Sequence, residues 1–275
     1  MEKPLQLTGI KSILHALFGL TAFLVIVIVG SIVRALLPLE IAATVAAVFE
    51  IGLTFLVLSL YCKKVLGIDL KELRVRKPHS MSIWIICAFA LPLVLTLFFI
   101  SFTNGSFAIS ELTAAQTAYI IISGVIYSSI KAAIVEELIF RSLMMKVLEV
   151  RWGKVVAILI PSIIFPLLHI PMMASFNFAD VVMLTIAGTC VRVMFSMIVY
   201  QSGSIWPAVV VHVVYNIWSR LIMGYPGGDN LIAYVFESDS ILITGGAYGQ
   251  SASIPTTIGY IVIASIAFAL YKKQL

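Results

Sequence analysis

The sequence predicts an all-α fold, a polytopic membrane helix bundle of about eight transmembrane helices forming a single integral-membrane domain over 1–275. Three observations lead there. Of the 275 residues, 61% are hydrophobic and only 11% charged, and the mean hydropathy of +1.09 lies outside the range of soluble globular chains. Apolar runs of about twenty residues, the length that crosses a hydrocarbon core, recur along the chain. Between them Lys and Arg collect in alternate connections, as the positive-inside rule requires of a multi-pass protein.

The runs fall at 14–37, 41–61, 82–101, 117–147, 154–174, 180–200, 204–223 and 255–271. The first follows Lys3 and Lys11. Its apolar stretch, 16–37, is too long for the core of a cleavable signal and lacks a clear small-residue cleavage site. After the second run come Lys63, Lys64, Lys71, Arg74, Arg76 and Lys77, with Asp69 placed to cap a short amphipathic turn over 70–74 on the membrane surface. The third is followed by 102–116, which has no Lys or Arg. The fourth exceeds the thickness of a bilayer, so it should tilt or protrude.

Lys146, Arg151 and Lys154 then mark the turn into the fifth run, while 171–180 is again free of basic residues. The 201–204 connection after the sixth carries no charge. After the seventh, Pro226-Gly227-Gly228-Asp229-Asn230 and Gly245-Gly246 are turn signals, with 231–235 and 241–244 as interfacial pieces between them. Lys272 and Lys273 close the chain. The alternation places a multi-pass protein in the cell membrane with both termini cytoplasmic. A net charge of +5 then reflects basic loops against anionic lipid, with the bilayer as partner and no nucleic acid. Cys62, Cys87 and Cys190 show neither a CxxC nor metal-ligand spacing, and are expected to be buried small hydrophobes.

Glu136-Glu137-Leu138-Ile139-Phe140-Arg141 places three charges inside the fourth run. A charge at bilayer depth costs at least ~2.5 kcal/mol, so such groups face the bundle interior and mark a pathway or reactive site. Glu137 and Arg141 share a helical face one turn apart, whereas Glu136 points about 100° away. One acid is therefore expected to be structurally paired, and the other to be available for chemistry.

Two further polar pairs follow at the same spacing. Phe165 and His169 lie on one face of the fifth run, beside Pro161, Pro166 and Pro171, and Pro166 should give a kink or a locally hydrated backbone beside His169. His212 and Asn216 share a face of the seventh. Glu136 precedes Arg151 by fifteen residues and His169 follows Lys154 by fifteen, so a hairpin between them brings both to similar depth. A carboxylate and an imidazole meeting in a wet, low-dielectric cavity form a general base for water, and His212 and Asn216 could donate to an oxyanion. Arg192, near the middle of the sixth run, is placed to pair with a site carboxylate or to bind a substrate carboxyl terminus. Arg34, Glu50, Lys131, Asp180 and Arg220 are expected to snorkel or to pair near an interface.

These three motifs, Glu136-Glu137-xxx-Arg141, Phe165-xxx-His169 and His212-xxx-Asn216, in order and in separate spans, resemble those of the CPBP family, the CAAX-protease and bacteriocin-processing intramembrane proteases. The resemblance covers about half the chain, with a catalytic core in about 117–223. It implies an intramembrane glutamic endopeptidase opening toward the cytoplasm and acting on CAAX-type prenylated or other membrane-associated peptides. It further implies that Glu136 activates water with His169, that His212 and Asn216 form the oxyanion hole, and that Glu137 and Arg141 hold the helix in place. No cofactor is implied.

Three other functions compete. A zinc-dependent membrane protease could use His169, His212 and a glutamate as ligands, although HExxH is absent. A transporter or proton relay could use the same buried groups, although no repeat is visible. A scaffold or immunity protein would keep the fold without catalysis, but would have no physical reason to retain so costly a buried polar set.

Overall fold

The computed structural model describes residues 5–172, 177–224 and 229–274. Lys3 and the Pro226-Gly227-Gly228 turn lie outside these residues. Helix α1 (Gly9–Ala35) starts where the Thr8 hydroxyl accepts from the Lys11 amide, and α2 (Leu39–Tyr61) starts just after Pro38, whose fixed φ suits a helix entry. A π-helical turn, Cys62–Leu66, extends α2 to Gly67, which ends it at φ 66°. Asp69 stands before the short 3-10 turn Leu70–Leu73 with extended backbone, but its side chain makes no capping bond. α3 covers Ser82–Phe102.

The next helical run, Ala114–Leu167, is 54 residues long and reverses at Gly153, whose φ of 77° and ψ of 178° are not helical. It is a hairpin of α4 (114–152) and α5 (154–167). Phe140 and Phe165, ring centres 5.0 Å apart, face each other across the hairpin at nearly equal distances from Gly153. α5 ends at Leu167, short of the expected 174. Pro171 cannot bond back to the Leu167 carbonyl, and the chain passes into the 3-10 turn Ile170–Met172. Pro166 lies inside α5, which keeps helical φ and ψ through it.

Asn177 caps α6 (Phe178–Ser202), accepting from the Ala179 amide at 3.0 Å, and Gly203 ends it at φ 67°. α7 (Trp206–Ile217) has Pro207 in its first turn and continues into a π-helical turn, Trp218–Ile222. α8 (Ile254–Lys272) begins with Ser253 accepting from Thr256. Among the described residues six helical runs are long and apolar enough to cross a membrane, the hairpin counted once. The all-α polytopic bundle is therefore the observed fold, in eight helices.

One departure is a small antiparallel sheet. β1 (Gly105–Ile109) pairs with β2 (Ile232–Phe236), with Gly105 opposite Phe236. The approach is close enough to need glycine, because a Cβ at Gly105 would lie 2.8 Å from the Tyr234 ring. The pair ties the connection before α4 to the one after α7.

The two ends of the bundle differ. At one end Gly9 faces the Trp152 ring, Lys154 bonds Tyr271, Arg74 pairs with Glu149, and Arg76 donates to the Gly203 carbonyl at 2.8 Å. The N-terminal residues, the basic connections and the end of α8 thus share one face. The sheet, the Ile170–Met172 turn and the stretch 238–253 occupy the other. Glu50 and Lys131 form a buried ion pair of 3.2 Å deep between α2 and α4, so neither snorkels. Cys62 and Cys87 are buried, and all three cysteines are free.

Candidate active site

α4 changes geometry at the two carboxylates. It is α-helical over Ala132–Glu136 and π-helical over Glu137–Met144, a form that occurs in short insertions and often at functional sites. From Glu137 to Met145 every residue is buried, while Glu136 is only partly so. Adjacent acids thus meet different surroundings.

Glu137 is wholly enclosed. Its carboxylate lies 3.4 Å from Arg141 Nε, 3.4 Å from Arg192 Nη1 and 3.1 Å from His212 Nδ1. A carboxylate can only accept, so the Nδ1 proton of His212 points at Glu137 and fixes the ring, which also stacks on Phe195 at 4.7 Å. Arg141 further donates to the Arg192 carbonyl at 3.4 Å. The Glu137–Arg141 pair is the one that helical spacing predicts.

Glu136 keeps 13% of its side chain accessible, and its Oε2 lies 2.6 Å from Arg192 Nη2 and 3.7 Å from His212 Nε2. Sequence spacing left this acid without a basic neighbour. The structure corrects that: its partner arrives from α6, beyond the reach of any rule confined to one helix. Arg192 takes the carboxylate-pairing role of its two expected ones, with both terminal nitrogens engaged.

Phe165 is the platform beneath this cluster. The Arg192 guanidinium lies 3.2 Å from its ring centre, a cation–π contact, and His169 packs against the same ring at 4.5 Å. The Nδ1 proton of His169 goes to the Phe165 carbonyl at 3.2 Å. Nε2 therefore carries the lone pair, and no hydrogen bond among the described residues takes it up. Glu136 lies within electrostatic reach of Arg192, His212 and His169.

Asn216 stands one turn beyond His212 on α7. It donates from Nδ2 to the Ser128 carbonyl at 3.3 Å, which is a carbonyl of the other π-helical stretch of α4, Ser123–Lys131. An amide has two N–H bonds, so the second remains for another acceptor. Glu136, Glu137, Arg192 and His212 thus touch directly, His169 joins them across Phe165, and Asn216 sits one turn along the same wall. Sequence reasoning missed Ser128 and Tyr248, whose ring presents its edge to His169 at 6.3 Å. No spacing rule links residues so far apart.

Among the described residues no three His, Cys, Asp or Glu side chains are arranged to hold a metal ion. Between the two carboxylates stands the Arg192 guanidinium. Residues 117–218, which carry all three motifs, match the family described as type II CAAX prenyl endopeptidase Rce1-like. No curated protein and no solved structure matches the chain. Several apolar helices and this matched segment together make it a multi-pass membrane protein with a protease core. Through that core the chain is similar to the CAAX-type intramembrane proteases.

Proposed function

We propose that the chain is an endopeptidase in which Glu136 and His169 activate water against a peptide bond, with His212 and Asn216 as donors to the oxyanion. One observation carries this reading: of two neighbouring carboxylates, Glu137 is enclosed by Arg141, Arg192 and His212, while Glu136 keeps part of its side chain accessible and lies within electrostatic reach of His169. Water placed between Glu136 and His169 Nε2 gives up a proton as its oxygen adds to the carbonyl carbon. The resulting oxyanion is met by the free N–H of Asn216 and by the Nε2–H that His212 offers when its ring is doubly protonated, Nδ1–H staying on Glu137. Collapse breaks the C–N bond, and the proton passes to the leaving amine. Arg192 holds Glu136 in place, and no cofactor enters the scheme.

The partners of this reaction are the bilayer and a membrane-associated peptide, prenylated or not. With the basic end cytoplasmic, both termini are cytoplasmic. The exposed part of the site then lies on the side away from the cytoplasm, contrary to what the family resemblance implies. On the basic side of Glu136 the helices are closed, by Leu138 to Met145 on α4 and by Met194, Phe195, Ile198 and Val199 on α6. His169, Asn216 and Tyr248, on the other side, are partly exposed.

The test is cleavage of a prenylated CAAX-type peptide and of a panel of membrane peptides by purified protein in liposomes. Glu136→Gln should lower kcat by about 1,000-fold or more with folding intact. Glu137→Gln should act first on thermal stability. Wild-type rates in Glu136→Gln would overturn the assignment.

A further inference from the structure

The stretch after β2 is an anchored strap rather than a slack loop. It begins with the short helix Ile241–Thr244 and turns through Gly245, Gly246 and Gly249, at φ of 77°, 61° and 75°. Asp180, at the start of α6, accepts from the Ala247 amide at 3.2 Å. A Cβ on Gly246 would collide with that same carboxylate. Gln250 donates to the Met223 carbonyl at the end of α7. Ser251 receives the Tyr215 hydroxyl at 3.1 Å on its side chain and the Tyr260 hydroxyl at 3.2 Å on its carbonyl. Three helices, α6, α7 and α8, therefore hold one short segment.

That segment carries Tyr248. Its neighbours on the strap, Gly245 and Gln250, are buried, yet Tyr248 is 36% exposed. Its ring stands edge-on to His169 at 6.3 Å and 80°, and its hydroxyl feels the charges of Arg220, Arg192 and Glu136. The two tyrosines beside it make the contrast: Tyr215 and Tyr260 are buried and bond each other at 2.6 Å. The Tyr248 hydroxyl has no hydrogen-bond partner among the described residues. A tyrosine placed for packing would be covered and its hydroxyl bonded. Tyr248 is instead partly exposed beside His169, outside the segment 117–218 that carries the motifs.

We propose that Tyr248 is a substrate-contacting residue of this site, which lays its ring on the bound peptide opposite His169 and donates its hydroxyl proton to a peptide carbonyl. Phenol is a neutral donor at physiological pH, so it can bind a backbone oxygen without bringing a charge into the membrane. The strap supplies rigidity: a side chain held by three helices loses little freedom when a substrate arrives.

The proposal rests on the endopeptidase reading, and the experiment separates the two. Tyr248→Phe, Tyr248→Ala and Glu136→Gln are compared on the same cleavable peptide, with thermal unfolding of each. Tyr248→Phe should lower kcat/KM by about 5–10-fold, the loss of one hydrogen bond, mainly through KM, and with an unchanged unfolding midpoint. Tyr248→Ala should lower it further. A photoreactive benzoyl-phenylalanine incorporated at position 248 in the Glu136→Gln background should crosslink to the peptide. If Glu136→Gln is inactive while both Tyr248 variants match wild type, the Tyr248 assignment alone falls. If the peptide binds and no crosslink forms at 248, it falls regardless of turnover. If Glu136→Gln cleaves normally yet position 248 crosslinks, the contact stands and the chemistry must be reassigned.

Discussion

Arg192 and Glu136, 56 residues apart in sequence, meet at 2.6 Å in the interior of the bundle. Their contact joins α6 to α4, and the same guanidinium rests on Phe165 of α5. One side chain thus fixes three helices around the proposed general base.

Arg192→Gln removes the positive charge from beside both carboxylates and should reduce kcat/KM by about 100-fold, with a loss of about 3–5 kcal/mol of stability from stranding a buried charge. Arg192→Lys should restore part of the stability but little of the activity, because an ammonium cannot address two carboxylates from one plane. Peptide cleavage and thermal unfolding in detergent check both. Unchanged cleavage in Arg192→Gln would remove the arginine from the mechanism.

Glu50 and Lys131 pair at 3.2 Å with almost no exposure, and Lys131 also sits 3.7 Å over the Tyr127 ring. Lys131→Met strands Glu50 and should cost about 3–5 kcal/mol. The double variant Glu50→Leu with Lys131→Met should recover most of that loss, because two apolar side chains need no compensation in a membrane interior. Unfolding midpoints of the two singles and the double decide. An additive double variant would show that the pair is not energetically coupled.

Exhaustive chelation should leave cleavage intact, since the scheme uses carboxylate and imidazole without a metal. Loss of activity on chelation, with recovery on adding zinc, would favour the metalloprotease alternative that His169, His212 and a glutamate left open.

Membrane orientation is testable by labelling. In a background with Cys62, Cys87 and Cys190 replaced by Ala, Lys77→Cys should react with an impermeant maleimide only in inverted vesicles. Ser240→Cys, on the strap side, should react in intact cells. The reverse pattern would return the pocket to the cytoplasmic side, as the family resemblance implies.

The spans were legible because lipid demands long apolar runs, and the Glu137–Arg141 pair because one helical turn joins its members. The early end of α5 was written in Pro171, whose missing amide outweighs the apolar residues around it. The sheet was not legible, because five-residue strands separated by more than a hundred residues leave no period to read. Arg192 was legible as a partner for a site carboxylate but not for which one, and neither Asn216 on Ser128 nor Tyr248 beside His169 was legible. Each depends on how separate helices pack, and a single sequence holds no local signal of that.

Gly153 gives the hairpin a fulcrum. α5 rises only about 21 Å from it to Leu167, so α5 behaves as a lever arm whose tip bears the imidazole. A tilt of about 10° at that pivot would swing the tip by about 4 Å, more than the width of a water molecule. A bulkier residue at position 153 would meet no steric obstacle nearby, but its reluctance to hold a positive φ would be felt one helix length away, as misalignment between imidazole and carboxylate.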